Sequence, residues 1–191
     1  MGMTIKPADA YQRAAALMGE AITSLTDQQW DLKCGPDDLS IAAAMAWVVV
    51  GDSQISSAID RGRLDEIHDI EANVLGPNLV ATWRGTALAA ISSLDSIDDL
   101  DGTVEHPDGH LVIGDLVGQR VSENIVRSWD IRRAVNSELA IPEDLAVWCL
   151  DFWNSHADAV MAGGVLPNDP IQPAPDADAS ARLLAFTGRR A

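Results

Sequence analysis

Five stretches of this chain carry apolar residues at three- and four-residue spacing, and nowhere do apolar and polar residues alternate for more than a few positions. That periodicity belongs to the α-helix, so the chain is predicted to be all-α. The clearest stripe, Tyr11, Ala14, Ala15, Leu17, Met18, Ala21, Ile22 and Leu25, predicts a helix from about Pro7 to Leu25 with one buried face. A polar turn, Lys33-Cys34-Gly35-Pro36-Asp37-Asp38, separates it from a second helix over Ile41 to Ile59. Ser40 is placed to cap that helix by accepting a backbone N–H. Because the second helix is apolar nearly all round at its start, it is expected to lie centrally.

Residues 60–78 turn polar and contain Gly62, Gly76 and Pro77, which predicts a connection with at most a short helix. A third helix is expected from Leu79 to about Leu94, an acidic loop from Asp95 to Gly109, and a long fourth helix from Ile113 to Val135. Leu116, Val117, Val121, Ile125 and Trp129 supply the fourth helix's buried stripe. Pro142 suits a first helical position, and Leu145, Trp148, Cys149, Phe152 and Trp153 give a fifth helix its apolar face. Gly163, Gly164 and four prolines between 167 and 175 end it. With no linker and no internal repeat, residues 1–191 are expected to form a single domain. Its predicted form is an up-and-down four-helix bundle with additional short helices and a C-terminal extension.

A chain of 191 residues buries roughly 70% of its unfolded surface and can build a core without staples. Thirteen Lys and Arg against 29 Asp and Glu leave a net charge of -16, which repels phosphate backbones and anionic headgroups. Nucleic acid and membrane are therefore not expected as partners. The longest apolar run, Ile41 to Gly51, is shorter than the ~20 residues of a membrane span. No basic segment followed by an apolar stretch opens the chain, so a cytoplasmic location is expected. Cys34 and Cys149 lack metal-ligand spacing and are expected to be reduced thiols. Cys34 follows Lys33, yet a buried structural thiol is the expectation there.

General catalytic motifs are absent: no nucleophile elbow, phosphate-binding glycine loop, HExxH or EF-hand pattern occurs. His106 and His110 sit in a His-Pro-Asp-Gly-His segment that lacks a third ligand, and solvated loop histidines are expected. His68 and His156 are isolated. Four local patterns remain: Trp30-Asp31-Leu32-Lys33-Cys34, the run Ile41 to Gly51 with Trp47 in it, Glu123-Asn-Ile-Val-Arg127-Ser-Trp129-Asp130, and Leu183-Leu-Ala-Phe-Thr-Gly188-Arg189. In this order they resemble the DinB and mycothiol-dependent maleylpyruvate isomerase superfamily. Trp129-Asp130 is similar to its HxWDxA segment, and the last pattern to the LLAFxGR signature of its actinobacterial members.

The resemblance implies a four-helix core that holds zinc or nickel through one histidine on the second helix and a Glu-x-x-x-His pair on the fourth. In better-known members that metal activates a low-molecular-weight thiol for isomerisation or transfer. Here Trp47 stands at the first histidine, Arg127 at the last, and only Glu123 remains. A guanidinium cannot deprotonate to become a ligand, so no metal and no cofactor is expected. Two readings of Glu123 and Arg127 stay open. In one they neutralise each other as an i,i+4 pair in a retired pocket. In the other Arg127 presents its fork to a small organic anion, Trp47 supplies an apolar wall, and Glu123 acts as a base or polarising group.

The expected ligand site is thus Trp47, Glu123, Arg127, Trp129 and Asp130 in an inter-helical pocket, with Glu123 and Arg127 as the candidate catalytic groups. A small-molecule ligand is the expected partner; a homodimer is allowed and not required. The alternatives are a non-catalytic partner-binding or structural member, and a metal- and mycothiol-dependent isomerase or transferase.

Overall fold

The computed structural model describes residues 5–64, 70, 72–106, 109–156 and 170–190. Among the described residues six α-helices dominate: α1 (Pro7–Ile22), α2 (Ile41–Arg61), α3 (Leu79–Asp95), α4 (Ile113–Ala134), α5 (Glu143–Ser155) and α6 (Ala179–Phe186). The fold is all-α, as the periodicity predicts. Ser40 accepts from the Ala43 N–H and caps α2, while Asn78 does the same for α3 through Ala81. Gly62, at φ 66°, closes α2 in the left-handed conformation that suits glycine.

Two boundaries differ from the sequence reading. The first helix stops at Ile22 rather than Leu25, because Gln29 Oε1 accepts from the Thr26 N–H and a separate 3-10 turn begins at Asp27. The acidic stretch expected as loop contains a strand, β3 (Thr103–His106), paired antiparallel with β4 (Gly109–Val112). Four residues are too few for alternation to register against the acidic composition around them. A smaller hairpin pairs β1 (Lys33–Cys34) with β2 (Leu39–Ser40). Gly163, Gly164 and Pro167, expected to end the fifth helix, lie outside the described residues, as does His68.

α1 to α4 form the bundle, with α1 packed chiefly on α4 and α2 on α3. Side-chain pairings fix the direction of each helix. Tyr11 and Asn124 meet at Asp52, Ser128 reaches Met18, and Arg132 reaches Ser24, so α1 and α4 run the same way. Ser93 near the end of α3 bonds Asp60 near the end of α2, so those two run together as well. The course is up, down, down, up rather than a strict alternation.

Two apolar clusters fill the interior. One gathers Tyr11, Ile55, Leu94, Val121, Leu145 and Leu183; the other gathers Met18, Ile22, Ile41, Met45, Trp83 and Ile131. Between them lies a polar layer on α1, α2 and α4. α2 is long and apolar enough to cross a membrane by length and composition, but 67% of its apolar window is buried in the bundle. A core helix satisfies the same criterion.

Candidate functional site

The polar layer centres on Asp52, which is 1% exposed. Tyr11 donates its hydroxyl to Oδ2 at 3.0 Å, and the Asn124 amide donates to both carboxylate oxygens at 3.0 Å. Burial pushes the Asp52 carboxyl up to about 6; Arg120 and the two donors limit the rise. Arg120 lies against Gly51, where a Cβ would overlap its guanidinium. Within this layer Asn124 Oδ1 and Arg120 Nε are buried without a hydrogen-bond partner.

One to two turns further along α4 stands a second set of charges. Arg127 Nε donates to Glu123 Oε1 at 3.0 Å, one of its terminal nitrogens donates to Asp37, and the other lies 3.6 Å from Asp130 Oδ2. Its side chain is 6% exposed. Burial disfavours the charge on Arg127, but Glu123 and Asp37 outweigh that and hold it protonated. Burial also pushes the Glu123 carboxyl up, yet the guanidinium groups of Arg127 and Arg120 prevail and keep it below the usual carboxylate range. A carboxylate held that way is a poor base near neutral pH.

Asp130, 2% exposed, faces the C-terminal segment. Arg189 grips it through two hydrogen bonds, Nε to Oδ1 at 3.2 Å and Nη2 to Oδ2 at 2.8 Å. Burial raises the Asp130 carboxyl, and Arg189 and Arg127 counter only part of that rise. The structure thus brings Glu123, Arg127 and Asp130 into one network and adds Asp37 and Arg189. Trp47 takes no part in it. Its side chain lies on α2, 46% exposed.

An open cleft of about 320 Å³ lies beside this network, between the β1–β2 turn, the last turns of α4 and the C-terminal segment. Trp129 and Asp130 line it; Trp47, Glu123 and Arg127 do not. Its lining carries four cations, Lys33, Arg133, Arg189 and Arg190, against the two carboxylates of Asp38 and Asp130. Lys33 donates to the Asp38 carbonyl at 2.9 Å and Arg189 is occupied by Asp130. Arg133 and Arg190 are exposed, and among the described residues neither has a carboxylate partner. Arg133 lies over the Trp129 indole, 5.3 Å from the ring centre. Cys34 sits in the wall as a buried thiol, which burial and the Asp130 charge push up to about 11.

Lys33, Arg133, Arg189 and Arg190 were not singled out as site residues by the sequence. The i,i+4 spacing of Trp129 and Arg133 was a usable signal; the return of the tail to Asp130 carried none. The residues at the resembled metal position do not fit a metal, since the guanidinium of Arg127 occupies the carboxylates there. Among the described residues no group of three His, Cys, Asp or Glu is arranged to hold one. His110 is exposed on β4, the side chain of His106 lies outside the described residues, and His156 pairs with Asp115 at 2.7 Å. Compared with known proteins, the chain matches neither a family model nor a curated sequence.

Proposed function

We propose that this is a DinB-like protein that binds a small organic anion, without a metal, in the cleft beside Trp129 and Asp130. The carrying observation is the pair of uncommitted guanidinium groups, Arg133 and Arg190, at one cleft in a protein of net charge -16. Carboxylates outnumber cations more than two to one in this chain, and two arginines at one cleft with no carboxylate against them among the described residues offer an incoming anion partners. The Trp129 indole with Arg133 over it forms a flat wall, which suits a ligand with a planar body.

The chemistry of the neighbouring groups favours binding over catalysis. Glu123 is held as a carboxylate by its arginines, and Cys34 is kept as a thiol. A second, structural reading draws on Arg127: enclosed by Glu123 and Asp130 of its own helix and by Asp37 of the β1–β2 turn, it ties that turn to α4. Both readings hold together if the structural work is confined to Arg127 and the binding to the cleft.

Isothermal titration with benzoate at low ionic strength tests the proposal. Saturable binding at one site per chain is expected, with affinity reduced about tenfold or more in Arg133→Gln, Arg190→Gln, and no binding of benzylamine. Absence of binding, or equal affinity in the double variant, would refute it.

A further inference from the structure

All three walls of the cleft converge on one ion pair. Asp130 belongs to α4, Arg189 to the C-terminal segment, and Gly35 to the β1–β2 turn. Gly35 takes φ 69°, and a Cβ on it would stand 2.7 Å from Asp130 Oδ2 and 3.0 Å from Arg127 Nη1. The turn therefore rests directly on the buried pair. The sequence neighbours of the two paired residues, Trp129 and Arg190, are the cleft's flat wall and one of its uncommitted cations.

We infer that the Asp130–Arg189 pair is a positioning latch for the anion site: it fixes the tail against α4 so that Arg190 faces Trp129 and Arg133 across the cleft. The inference rests on the cleft being the anion site. Arg190 lies one residue beyond the buried Arg189 on a segment whose preceding helix, α6, packs on α5 rather than on α4. Arg189 also donates to the Thr187 carbonyl, so its side chain orders the turn that leads into it. An anion that bridges Arg133 and Arg190 draws the tail onto α4, and by linkage a docked tail strengthens anion binding by the same factor.

Charge alone and positioning predict opposite results for Asp130→Asn. The substitution removes a carboxylate from the lining of an anion site, so an electrostatic contribution by itself strengthens anion binding. Loss of the latch weakens it, because Arg190 is no longer held in place. Benzoate affinity in Asp130→Asn is expected to fall about tenfold, although Lys33, Arg133 and Arg190 all remain. Arg189→Lys, which keeps the charge and loses the two-point grip, is expected to fall similarly and serves if Asp130→Asn does not fold. In the wild-type protein, saturating benzoate is expected to slow hydrogen exchange at the amides of residues 183–190. Unchanged exchange there, or tighter binding by a folded Asp130→Asn, would overturn the latch while leaving the cleft as the anion site. Wild-type binding that Arg133→Gln, Arg190→Gln leaves intact would instead remove the cleft, and the latch with it.

Discussion

Arg127 and Arg133 lie less than two turns apart on α4 and meet opposite surroundings. Arg127 is enclosed, with Glu123, Asp37 and Asp130 arranged around its guanidinium. Arg133 is exposed, lies on the Trp129 indole, and has no carboxylate against it among the described residues. The helix period separates them: Arg127 shares a face with Glu123 and Asn124, which point into the bundle, whereas Arg133 falls one step round, toward the tail. A buried cation is tolerable only when its charge is matched, and once matched it has few bonds left to give. An exposed cation is unconstrained by that requirement and stays available. The enclosed group is the structural one, and the open one is the group to which the proposed function gives recognition.

The largest expected effect breaks the enclosed side. Arg127→Met takes the guanidinium away from Glu123 and Asp37 while Asp130 keeps Arg189, and it should destabilise by about 3–5 kcal/mol in denaturant melts at neutral pH. Glu123→Gln, Arg127→Met should recover only part of that loss, since Asp37 remains; a single variant as stable as wild type would show that the enclosure contributes nothing.

Asp52 sharpens the comparison, being a buried charge bonded only by neutral donors. Its carboxyl stands at about 6 in the fold against 3.8 for an ordinary aspartate. The folded state therefore holds the proton more tightly. The associated stability is complete below pH 3.8 and is lost as pH rises through about 6. Asp52→Asn abolishes this dependence. Relative to wild type, the variant should gain roughly 2.5 kcal/mol between pH 4 and pH 8. A difference that is flat with pH would contradict the shifted carboxyl. Smaller still is Trp47→Ala, where a half-exposed indole leaves the surface; about 1 kcal/mol of lost stability is expected, with benzoate affinity unchanged. Arg133→Gln should be the mildest in melts, within about 0.5 kcal/mol of wild type, while weakening benzoate in calorimetry.

Sequence periodicity carried most of the fold. Stripes such as Tyr11, Ala14, Met18 and Ala21 report burial directly, and Ser40 before Ile41 announced a helix start. The direction of the helices was not legible, because a 17-residue connection over residues 62–78 can either turn back or run the length of the bundle. Within the site, the Glu123–Arg127 contact followed from i,i+4 spacing. Asp37 and Arg189, 90 and 59 residues distant from their partners, left no periodic trace. The resemblance places Trp47 at a pocket wall; its indole is 46% exposed on α2 and does not line the cleft.

The most direct test asks where an anion touches the protein. In amide, indole and guanidinium nuclear magnetic resonance spectra of the labelled protein, benzoate should shift signals from residues 33–38, from Trp129 and Arg133, and from 188–190, leaving Trp47 and residues 120–124 in place. Shifts concentrated at Trp47, Arg120 and Glu123, with the tail silent, would contradict the division between the enclosed arginine and the open cleft.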